Sequence, residues 1–578
     1  MQYICNKFFK IFYSSKENRA MKKTIFKTIM LLSALFSVLS VNASTTENRQ
    51  HKIAKYFDVL HYMFRDLDAY YVDSVDVDKV FEASIGGMLS VFDPYTSYIP
   101  EEEVSDFKYM TTGEYAGIGA IITQRDGKIY ISEPYENMPA QKAGLLFGDE
   151  ILSVDGEDVR GKDVSYVSDK LRGRPNSEIV LEVRREGVKK PIKFAFTRQQ
   201  IVVPQVVYYG MVAEKVGYIY LESFTDKATQ EVKQALLDLK KQGATSLVLD
   251  LRENGGGLMS EAVSICNLFV DKGEEIVSTR GKAKSDNRHY KTRSEAVDTQ
   301  MPLVVLISGG SASSSEIVAG ALQDLDRAVI VGERSYGKGL VQATREMPAS
   351  GLLKMTTAKY YIPSGRCIQA VDYTHRDENG AVSRIPDSLT TVFHTRHGRE
   401  VRDGGGIRPD VELSDETLSN LSVKLAVNHF YFDFANDYFR QHPSIASPST
   451  FRITDEDYQA FTQFVLNKGV DYDLQSRKLM DRFKSMLQQE GLYDEVKAEF
   501  EALDAKLNSD LAAHLHLFRE DITRFIESSI VLRYYYQKGE HEYMLRDDSF
   551  LEKAIELLQN DEKYFSILNV DNQIDKQK

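Results

Sequence analysis

Apolar and polar positions along the chain repeat with a period that changes from one segment to the next. Residues 44–107 place apolar residues at every third or fourth position, as in YFDVLHYMFRDLDAYYV, which predicts helices with a break at Asp93-Pro94. Residues 108–198 carry short β-rich runs instead, such as GAIITQ and EIVLEVRR, separated by turn residues. We therefore expect a helical N-terminal region followed by a small β-rich domain.

Residues 199–415 alternate apolar strands with amphipathic helices. SLVLDL and PLVVLIS are typical of buried strands, and SSEIVAGALQDL is typical of a helix. This order predicts an α/β domain whose sheet is largely parallel. Residues 416–578 are again helical and acidic and carry no chemical motif. The predicted fold class is a multidomain α/β protein with a helical N-terminal arm, a β-rich domain, an α/β core and a helical C-terminal region.

Residues 1–43 have the layout of a secretory signal peptide. A basic stretch begins at Met21, an apolar run extends from Ile29 to Val41, and Ala43 ends a segment that suits cleavage. The apolar run is too short to span a membrane comfortably. We expect an exported protein, periplasmic or associated with the outer side of the inner membrane, with residues 1–20 as an upstream extension. An uncleaved membrane anchor is the alternative.

Charge and cysteine content restrict the partners. The net charge is −13, and residues 1–43 hold seven basic residues and one acidic residue, so removing them leaves −19. We expect no nucleic-acid partner, because nucleic-acid binding requires basic surface. Only Cys266 and Cys367 lie beyond this segment, and the simplest interpretation is two free thiols.

The first candidate for chemistry is a serine at the end of a buried strand. The strand Leu303–Ile307 leads into a Gly309-Gly310 turn, and a helix begins around Ser313. Strand, turn and helix in this order are typical of the nucleophile elbow of hydrolases, where free N–H groups at the helix start face a developing oxyanion. Ser313 and Glu316 also form a capping-box pattern, so the pattern alone leaves Ser313 as nucleophile or cap.

A serine nucleophile needs a base, and no histidine lies in this motif region. A lysine can serve if apolar burial without a carboxylate partner lowers its pKa. Lys338 suits this role because it lies between Gly337 and Gly339 after a buried strand; a solvated loop lysine is the alternative. Gln342 could bond the lysine without fixing its charge, although about 13 Å would separate the two Cα atoms in an extended strand, so a bend or long side chains must bring them together.

A glycine run supplies candidate oxyanion donors. The segment DLRENGGG, Asp250–Gly257, follows a buried strand, and glycine allows the backbone to approach a substrate carbonyl. A phosphate-binding loop is a weak alternative, because no Gly-Lys-Ser/Thr follows.

The β-rich segment resembles a PDZ domain, most clearly in AGLLFGDEILSVDG, Ala143–Gly156. In that family, main-chain N–H groups of a glycine-containing loop bind the carboxylate of a peptide, and the peptide pairs with a sheet edge. The matching loop here is YAGIGA. The peptide-binding residues that the resemblance implies are Gly117, Ile118, Gly119 and Ala120. A PDZ fold that serves only as a packing module is the alternative.

Taken together, the segments resemble the carboxyl-terminal processing proteases, also called tail-specific proteases, a family of PDZ-containing serine peptidases. The matching stretches include GMLSVFDPYTSYI, DLRENGGG, GSASSSEIVAGALQD and RAVIVGERSYGKGLVQ, and they span about residues 87–413. The resemblance implies Ser313 as nucleophile, Lys338 as base and Gln342 as support for the lysine. It implies main-chain oxyanion donors at Gly257 and Ser314, with Gly256 as the alternative to Gly257.

The resemblance implies a secreted or periplasmic serine endopeptidase that cleaves protein or peptide substrates recognised through accessible C-termini. It implies no metal and no organic cofactor. The alternatives are a catalytically inactive PDZ adaptor on a protease fold and a hydrolase of non-peptide esters. The sequence leaves open whether the helical terminal regions form a homodimer or bind an adaptor protein.

Overall fold

The computed structural model describes residues 49–569, except 349–350, 378–379, 415–417, 471–474 and 508–510. The chain divides into two compact units, one up to Val91 and one from Phe92 onward. The predicted signal peptide lies outside the described residues. Within the residues described, no helix combines the length and the apolar content that a membrane crossing requires.

The first unit consists of two helices, α1 at residues 49–70 and α2 at Val77–Leu89. Asp76 caps α2 by accepting a hydrogen bond from the Lys79 N–H at 3.2 Å. Both helices leave large apolar side chains exposed. Among them are Phe57, Leu60, Met63, Tyr70, Phe81 and Met88. The helices therefore hide little of their own apolar surface.

The second unit begins with a short strand, β1 at Ser97–Ile99, a 3₁₀ turn at Glu101–Glu103 and helix α3 at Val104–Thr112. The expectation of helix throughout residues 44–107 is wrong for β1. This strand forms because it pairs antiparallel with the core strand Leu352–Tyr361, a long-range contact that local periodicity does not encode.

The β-rich domain follows. Its strands are β2 Glu114–Gly117, β3 Ala120–Arg125, β4 Lys128–Pro134, β5 Glu150–Val154, β6 Glu157–Asp158, β7 Glu178–Arg184, β8 Ile192–Thr197 and β9 Gln199–Val202, and its helices are α4 Pro139–Ala143 and α5 Val164–Leu171. The main antiparallel sheet has the order β3-β4-β5-β7-β8, β6 pairs with β5, and β2 pairs with β9. Alternating strand residues such as Ile179, Leu181 and Val183 fill the core, which explains the period-two pattern.

The α/β core follows. Its strands are β10 Val206–Ala213, β11 Val216–Leu221, β12 Ser246–Asp250, β13 Glu275–Gly281, β14 Arg288–Lys291, β15 Leu303–Ile307, β16 Val329–Gly332, β17 Leu340–Glu346, β18 Leu352–Tyr361, β19 Val371–Arg376, β20 Val382–Arg384, β21 Val392–His394, β22 Glu400–Arg402 and β23 Val411–Glu412, and its helices are α6 Ala228–Lys241, α7 Met259–Cys266 and α8 Ser314–Asp324. Short 3₁₀ turns cover Lys284–Asp286 and Asp387–Leu389. The main sheet has the order β10-β11-β12-β15-β16-β23, and only the β10–β11 pair is antiparallel. The predicted, largely parallel sheet is confirmed.

A second core sheet is antiparallel and was not predicted. Strand β18 pairs with β17, β13 and β1, and β13 also pairs with β14. This sheet lies beside the parallel sheet, and the chain crosses from one to the other between β16 and β17. Lys338 lies in that crossing.

The C-terminal region is helical, as predicted. Its helices are α9 Asn420–Val427, α10 Phe430–Gln441, α11 Asp455–Lys468, α12 Gln475–Glu490, α13 Lys497–Leu507, α14 Leu511–Leu517, α15 Arg519–Met544, α16 Ser549–Leu558 and α17 Asp561–Ile567, with a 3₁₀ turn at Tyr493–Glu495. Helices α9–α11, α14 and α15 share an apolar core of their own. Helices α16 and α17 instead cover the face of the parallel sheet opposite α6–α8. The parallel sheet is consequently buried on both faces, which accounts for its continuous apolar strands.

The β-rich domain packs against the C-terminal helices through charged and aromatic side chains. Arg125 on β3 makes a bidentate ion pair with Asp433 on α10, at 2.8 and 2.9 Å. Arg533 on α15 lies over the Phe147 ring, 4.9 Å from its centroid. These contacts hold the domain to the helical region rather than leaving it on a free linker.

Candidate active site

The loop that carries Ser313 follows the end of β15 and leads directly into α8. Ser313 has φ 56° and ψ −111°, in a region that residues with a side chain rarely adopt. The Ser311 hydroxyl donates to the Leu251 carbonyl at 2.7 Å, and the Ser315 hydroxyl donates to the Asn254 carbonyl at 2.8 Å. The surrounding bonds thus maintain a strained conformation at Ser313, as is common at functional sites.

Glu316 connects the Ser313 loop with the Lys338 loop. One of its carboxylate oxygens accepts the N–H groups of Ser313 and Lys338, each at 2.9 Å, and the other accepts the Gly337 N–H at 2.8 Å and the Ser335 hydroxyl. The Glu316 side chain is fully buried. The sequence identified Glu316 only as half of a capping box; a signal for its second role was its place among small and apolar residues in the first turns of the helix.

Close packing explains both glycines beside Lys338. Gly337 has φ 90°, and a Cβ there would lie 2.3 Å from the Ala370 Cβ. A Cβ at Gly339 would lie 2.7 Å from the backbone nitrogen of Gln369, whose side chain accepts the Gly339 N–H at 2.8 Å. The Gly-Lys-Gly motif therefore lets the loop lie directly against residues 369–370.

The Lys338 amine lies in a partly buried, aromatic environment. Its Nζ is 4.4 Å from the centroid of the Tyr95 ring. Burial lowers the pKa of Lys338, the positive charge of Lys354 lowers it further, and Glu316 and Asp93 oppose the shift. No carboxylate forms an ion pair with Lys338 among the residues the structure describes. These conditions favour a neutral amine, although contact with an aromatic face favours the charged form.

The main chains of Ser313 and Lys338 lie close together at Glu316, but the side chains of the predicted catalytic residues make no described hydrogen bond to one another. The described contacts include no hydrogen bond between the Ser313 hydroxyl and the Lys338 amine. Gln342 donates instead to the Thr356 hydroxyl at 3.3 Å. Its strand, β17, shifts register relative to β18 between Val341 and Gln342. The roles of Ser313, Lys338 and Gln342 therefore stay predictions.

Two main-chain N–H groups are available beside Ser313. The Gly256 N–H already donates to the Asn254 side-chain oxygen at 2.9 Å, whereas the N–H groups of Gly257 and Ser314 have no partner within the described part of the chain. The Ser314 hydroxyl donates to the Gly257 carbonyl at 2.9 Å, which joins the two loops. This pattern supports Gly257, rather than Gly256, as the partner of Ser314 in an oxyanion site.

A buried ion-pair network that the sequence did not predict fixes the start of the glycine loop. Arg252 pairs with Asp250, at the end of β12, and with Asp548, both at 2.6 Å. The Tyr218 hydroxyl donates to Asp250 at 2.7 Å and lies 3.0 Å from the ring nitrogen of His541. Asp548 and His541 come from the C-terminal region, so their distance along the chain concealed this network from sequence analysis.

The predicted peptide-binding loop of the β-rich domain is held by its own domain. The Ile118 carbonyl accepts the Ala140 N–H at 2.8 Å. The backbones of Gly119 and Ala120, two of the four predicted loop residues, face the Tyr115 hydroxyl. Burial raises the pKa of Tyr115, and hydrogen bonds from these backbones oppose that rise. Strand β3, which follows the loop, pairs only with β4 in the described structure and leaves one edge unpaired.

Comparisons with known families agree with this organisation. Residues 215–376 match peptidase family S41, residues 130–185 match the PDZ domain, and residues 421–558 match a family described as the C-terminal helical domain of probable PDZ-proteases. The PDZ match falls on the β-rich domain, and the S41 match covers all three predicted catalytic residues, Ser313, Lys338 and Gln342.

The chain is also similar to individual proteins. The chain is 38% identical over 359 residues to a carboxy-terminal-processing protease of Bartonella bacilliformis, covering 61% of this chain and 81% of the relative. It is 31% identical over 406 residues to the carboxy-terminal processing protease CtpA of Bacillus subtilis, covering 70% and 85%. A solved photosystem II D1 C-terminal processing protease shares 29% identity over 62% of this chain and 92% of that one, with a TM-score of 0.33. The chain belongs to the carboxy-terminal processing proteases of peptidase family S41, serine proteases that carry a PDZ domain.

Proposed function

We propose that this protease is an exported endopeptidase that cleaves proteins recognised through their C-termini, with Ser313 as nucleophile and Lys338 as base. One observation carries the assignment: a single oxygen of Glu316 accepts the N–H groups of both residues at 2.9 Å, which sets their backbones side by side. An inactive adaptor would not need, at one place, a strained serine, a partly buried lysine and two main-chain N–H groups, the lysine without an ion pair and the N–H groups without an acceptor among the described residues.

The reaction follows from these groups. Neutral Lys338 accepts the Ser313 hydroxyl proton as the oxygen bonds to the substrate carbonyl carbon, and the N–H groups of Gly257 and Ser314 stabilise the oxyanion. Lys338 then gives the proton to the leaving amine as the C–N bond breaks. Water, deprotonated by Lys338, then bonds to the acyl carbon, and Lys338 returns that proton to the Ser313 oxygen as the ester bond breaks. Gln342 would support the amine once the lysine side chain turns from Tyr95 toward the serine.

The PDZ domain supplies substrate recognition in this proposal. A substrate carboxylate would take the N–H groups of Gly119 and Ala120 and displace the Tyr115 hydroxyl that they face. The preceding substrate residues would pair with the unpaired edge of β3. A peptide with a free C-terminus should then bind more tightly than the same peptide amidated at its C-terminus. Equal affinities in a calorimetric titration would contradict this mode of recognition.

Export and assembly remain part of the proposal. The basic and apolar pattern of residues 1–43 supports a cleaved signal peptide. The exposed apolar side chains of α1 and α2, such as Phe57 and Leu60, support binding of these helices to a second copy of the chain or to an adaptor protein. Sedimentation of the purified chain, compared with a Phe57→Ser/Leu60→Ser variant, would test the homodimer.

The decisive experiment compares wild type with Ser313→Ala and Lys338→Ala on an unfolded protein that ends in a free carboxylate. We expect each variant to lose at least about 10⁴-fold in kcat, because removing one member of a catalytic unit removes most of its effect. Retained cleavage in both variants would show that the dyad is assigned wrongly. Failure of the wild-type protein to cleave any substrate would favour the adaptor alternative.

A further inference from the structure

The Tyr360 hydroxyl reaches the main chain of both predicted catalytic residues. Its oxygen lies 2.6 Å from the Lys338 carbonyl oxygen and 3.1 Å from the Ser313 carbonyl oxygen. The Ser313 carbonyl also accepts the helical N–H of Ile317 at 3.0 Å, whereas the Tyr360 hydroxyl is the only donor to the Lys338 carbonyl among the described residues. The hydrogen bond from the Tyr360 hydroxyl is therefore more important for the position of Lys338 than for that of Ser313.

The rest of Tyr360 is equally fixed. Its side chain is 1% exposed on β18, and its own N–H donates to the Gly339 carbonyl at 3.0 Å. Burial, together with the charge of Glu316, raises the pKa of Tyr360 well above its usual value, so the phenol keeps its proton and remains a donor. Tyr360 thus donates to two consecutive residues of this loop: its hydroxyl bonds the Lys338 carbonyl, and its main-chain N–H bonds the Gly339 carbonyl.

Tyr360 and Glu316 act on complementary groups of the same two residues. Glu316 accepts the N–H groups of Ser313 and Lys338, and the Tyr360 hydroxyl lies at their carbonyl oxygens. A buried tyrosine hydroxyl needs an acceptor, and any carbonyl would satisfy it. Here the acceptors belong to the two residues that must meet for catalysis, which indicates more than core packing.

We propose that Tyr360 is a positioning residue, which holds the Lys338 main chain against the Ser313 loop so that the amine can reach the serine hydroxyl. This inference rests on the proposed Ser313–Lys338 dyad. Tyr360 touches neither substrate nor reacting atoms. It acts by fixing the main-chain position from which the Lys338 side chain extends. A displacement of about 1 Å at a catalytic group can cost 10²-fold in rate.

The test is Tyr360→Phe, which removes the hydroxyl and keeps the ring. We expect kcat to fall about 10- to 100-fold with KM changed little, because the substrate contacts stay intact. The acidic limb of the pH–rate profile should also move to higher pH, because a less constrained Lys338 becomes more solvated and its pKa rises toward the usual value. A purely structural role would not move this limb.

The matched control is Tyr361→Phe, which removes a hydroxyl from the next residue of β18, whose ring instead lies beside Arg280, 4.1 Å away. We expect wild-type kinetics from this control. If the two variants have the same kcat and the same pH profile, the inference is wrong. Thermal unfolding would verify that each variant is folded.

If Tyr360→Phe does not fold, 4-fluorophenylalanine at position 360 fills the space of the hydroxyl without donating a hydrogen bond. We expect it to lower kcat and to move the acidic limb to higher pH as Tyr360→Phe should; wild-type kinetics from this variant would overturn the proposal. Ser313→Ala separates this inference from the dyad. Cleavage that survives Ser313→Ala refutes the dyad, whereas a Ser313-dependent activity that is insensitive to Tyr360 refutes only the positioning role.

Discussion

The Ser313 loop and the Lys338 loop lie side by side but are stabilised in different ways. The Ser313 loop joins a buried parallel strand to a buried helix, and its anchors come from the loop at the end of the neighbouring strand β12. The Lys338 loop connects two different sheets, and Glu316, Tyr360 and Gln369 hold its backbone from distant parts of the chain. The Lys338 side chain itself contacts the Tyr95 ring.

This difference separates the two halves of the proposed catalytic mechanism. The proposed nucleophile and oxyanion donors form a preorganised unit, since the positions of Ser313, Gly257 and Ser314 are set by main-chain geometry. In the proposal, the lysine side chain turns from the Tyr95 ring before it acts as the base. Variants of the connecting carboxylate, of the oxyanion loop and of the lysine environment should consequently have distinct effects.

Among these three sets of variants, Glu316→Gln should have the largest effect. The Glu316 carboxylate accepts N–H groups from both loops. A glutamine presents an amide NH₂ group there, so its own N–H donors would face the main-chain N–H donors of the loops. Displacing both the serine and the lysine should lower kcat by about 10³-fold, since each misplacement alone can cost about 10². Steady-state kinetics on a peptide substrate would measure the fall.

The matched control is Glu231→Gln, because Glu231 also accepts two main-chain N–H groups, those of Gln205 and Val206 at 2.7 and 2.9 Å, but away from the catalytic loops. It should lower thermal stability without changing kcat. Equal kinetic losses from both variants would contradict a specific connection between the loops by Glu316.

Gly257→Ala should affect only the oxyanion site beside Ser313 and not the lysine. Gly257 has φ 145°, and a Cβ there would lie 2.4 Å from the Phe224 carbonyl oxygen, so the loop must move and turn its N–H away. Loss of one oxyanion donor typically costs about 10²–10³-fold in kcat. Gly255→Ala is the control, because nothing lies within 4 Å of its added Cβ. A kinetic effect as large in Gly255→Ala would refute the assignment.

Lys354→Gln should have the smallest effect, because it should change only the pKa of Lys338. The charge of Lys354 lowers the pKa of Lys338, in addition to the effect of burial. Removing that charge raises the pKa of Lys338, so less neutral amine is present at a given pH, and the acidic limb of the kcat/KM profile moves to higher pH. Lys359→Gln, an exposed lysine on the same strand, should leave the profile unchanged. A shift in neither variant would argue against Lys338 as the base.

Sequence periodicity predicted the parallel strands and helices of the core well. Strands β11, β12, β15 and β16 carry apolar runs, because both faces of their sheet are buried. It did not predict β1 or the antiparallel sheet around β18, whose strands alternate weakly and gain stability from partners distant in sequence.

The sequence by itself determined the elbow that carries Ser313 and the glycines that flank Lys338, because turns, helix starts and steric freedom depend on neighbouring residues. Only the tertiary structure decided how the loops are joined: a buried carboxylate and a tyrosine hydroxyl bring together segments from α8, the β16–β17 crossing and β18. It also decided the position of the amine against Tyr95. Hydrogen bonds and desolvation act through space, and residues remote in sequence share a site only after the chain has folded.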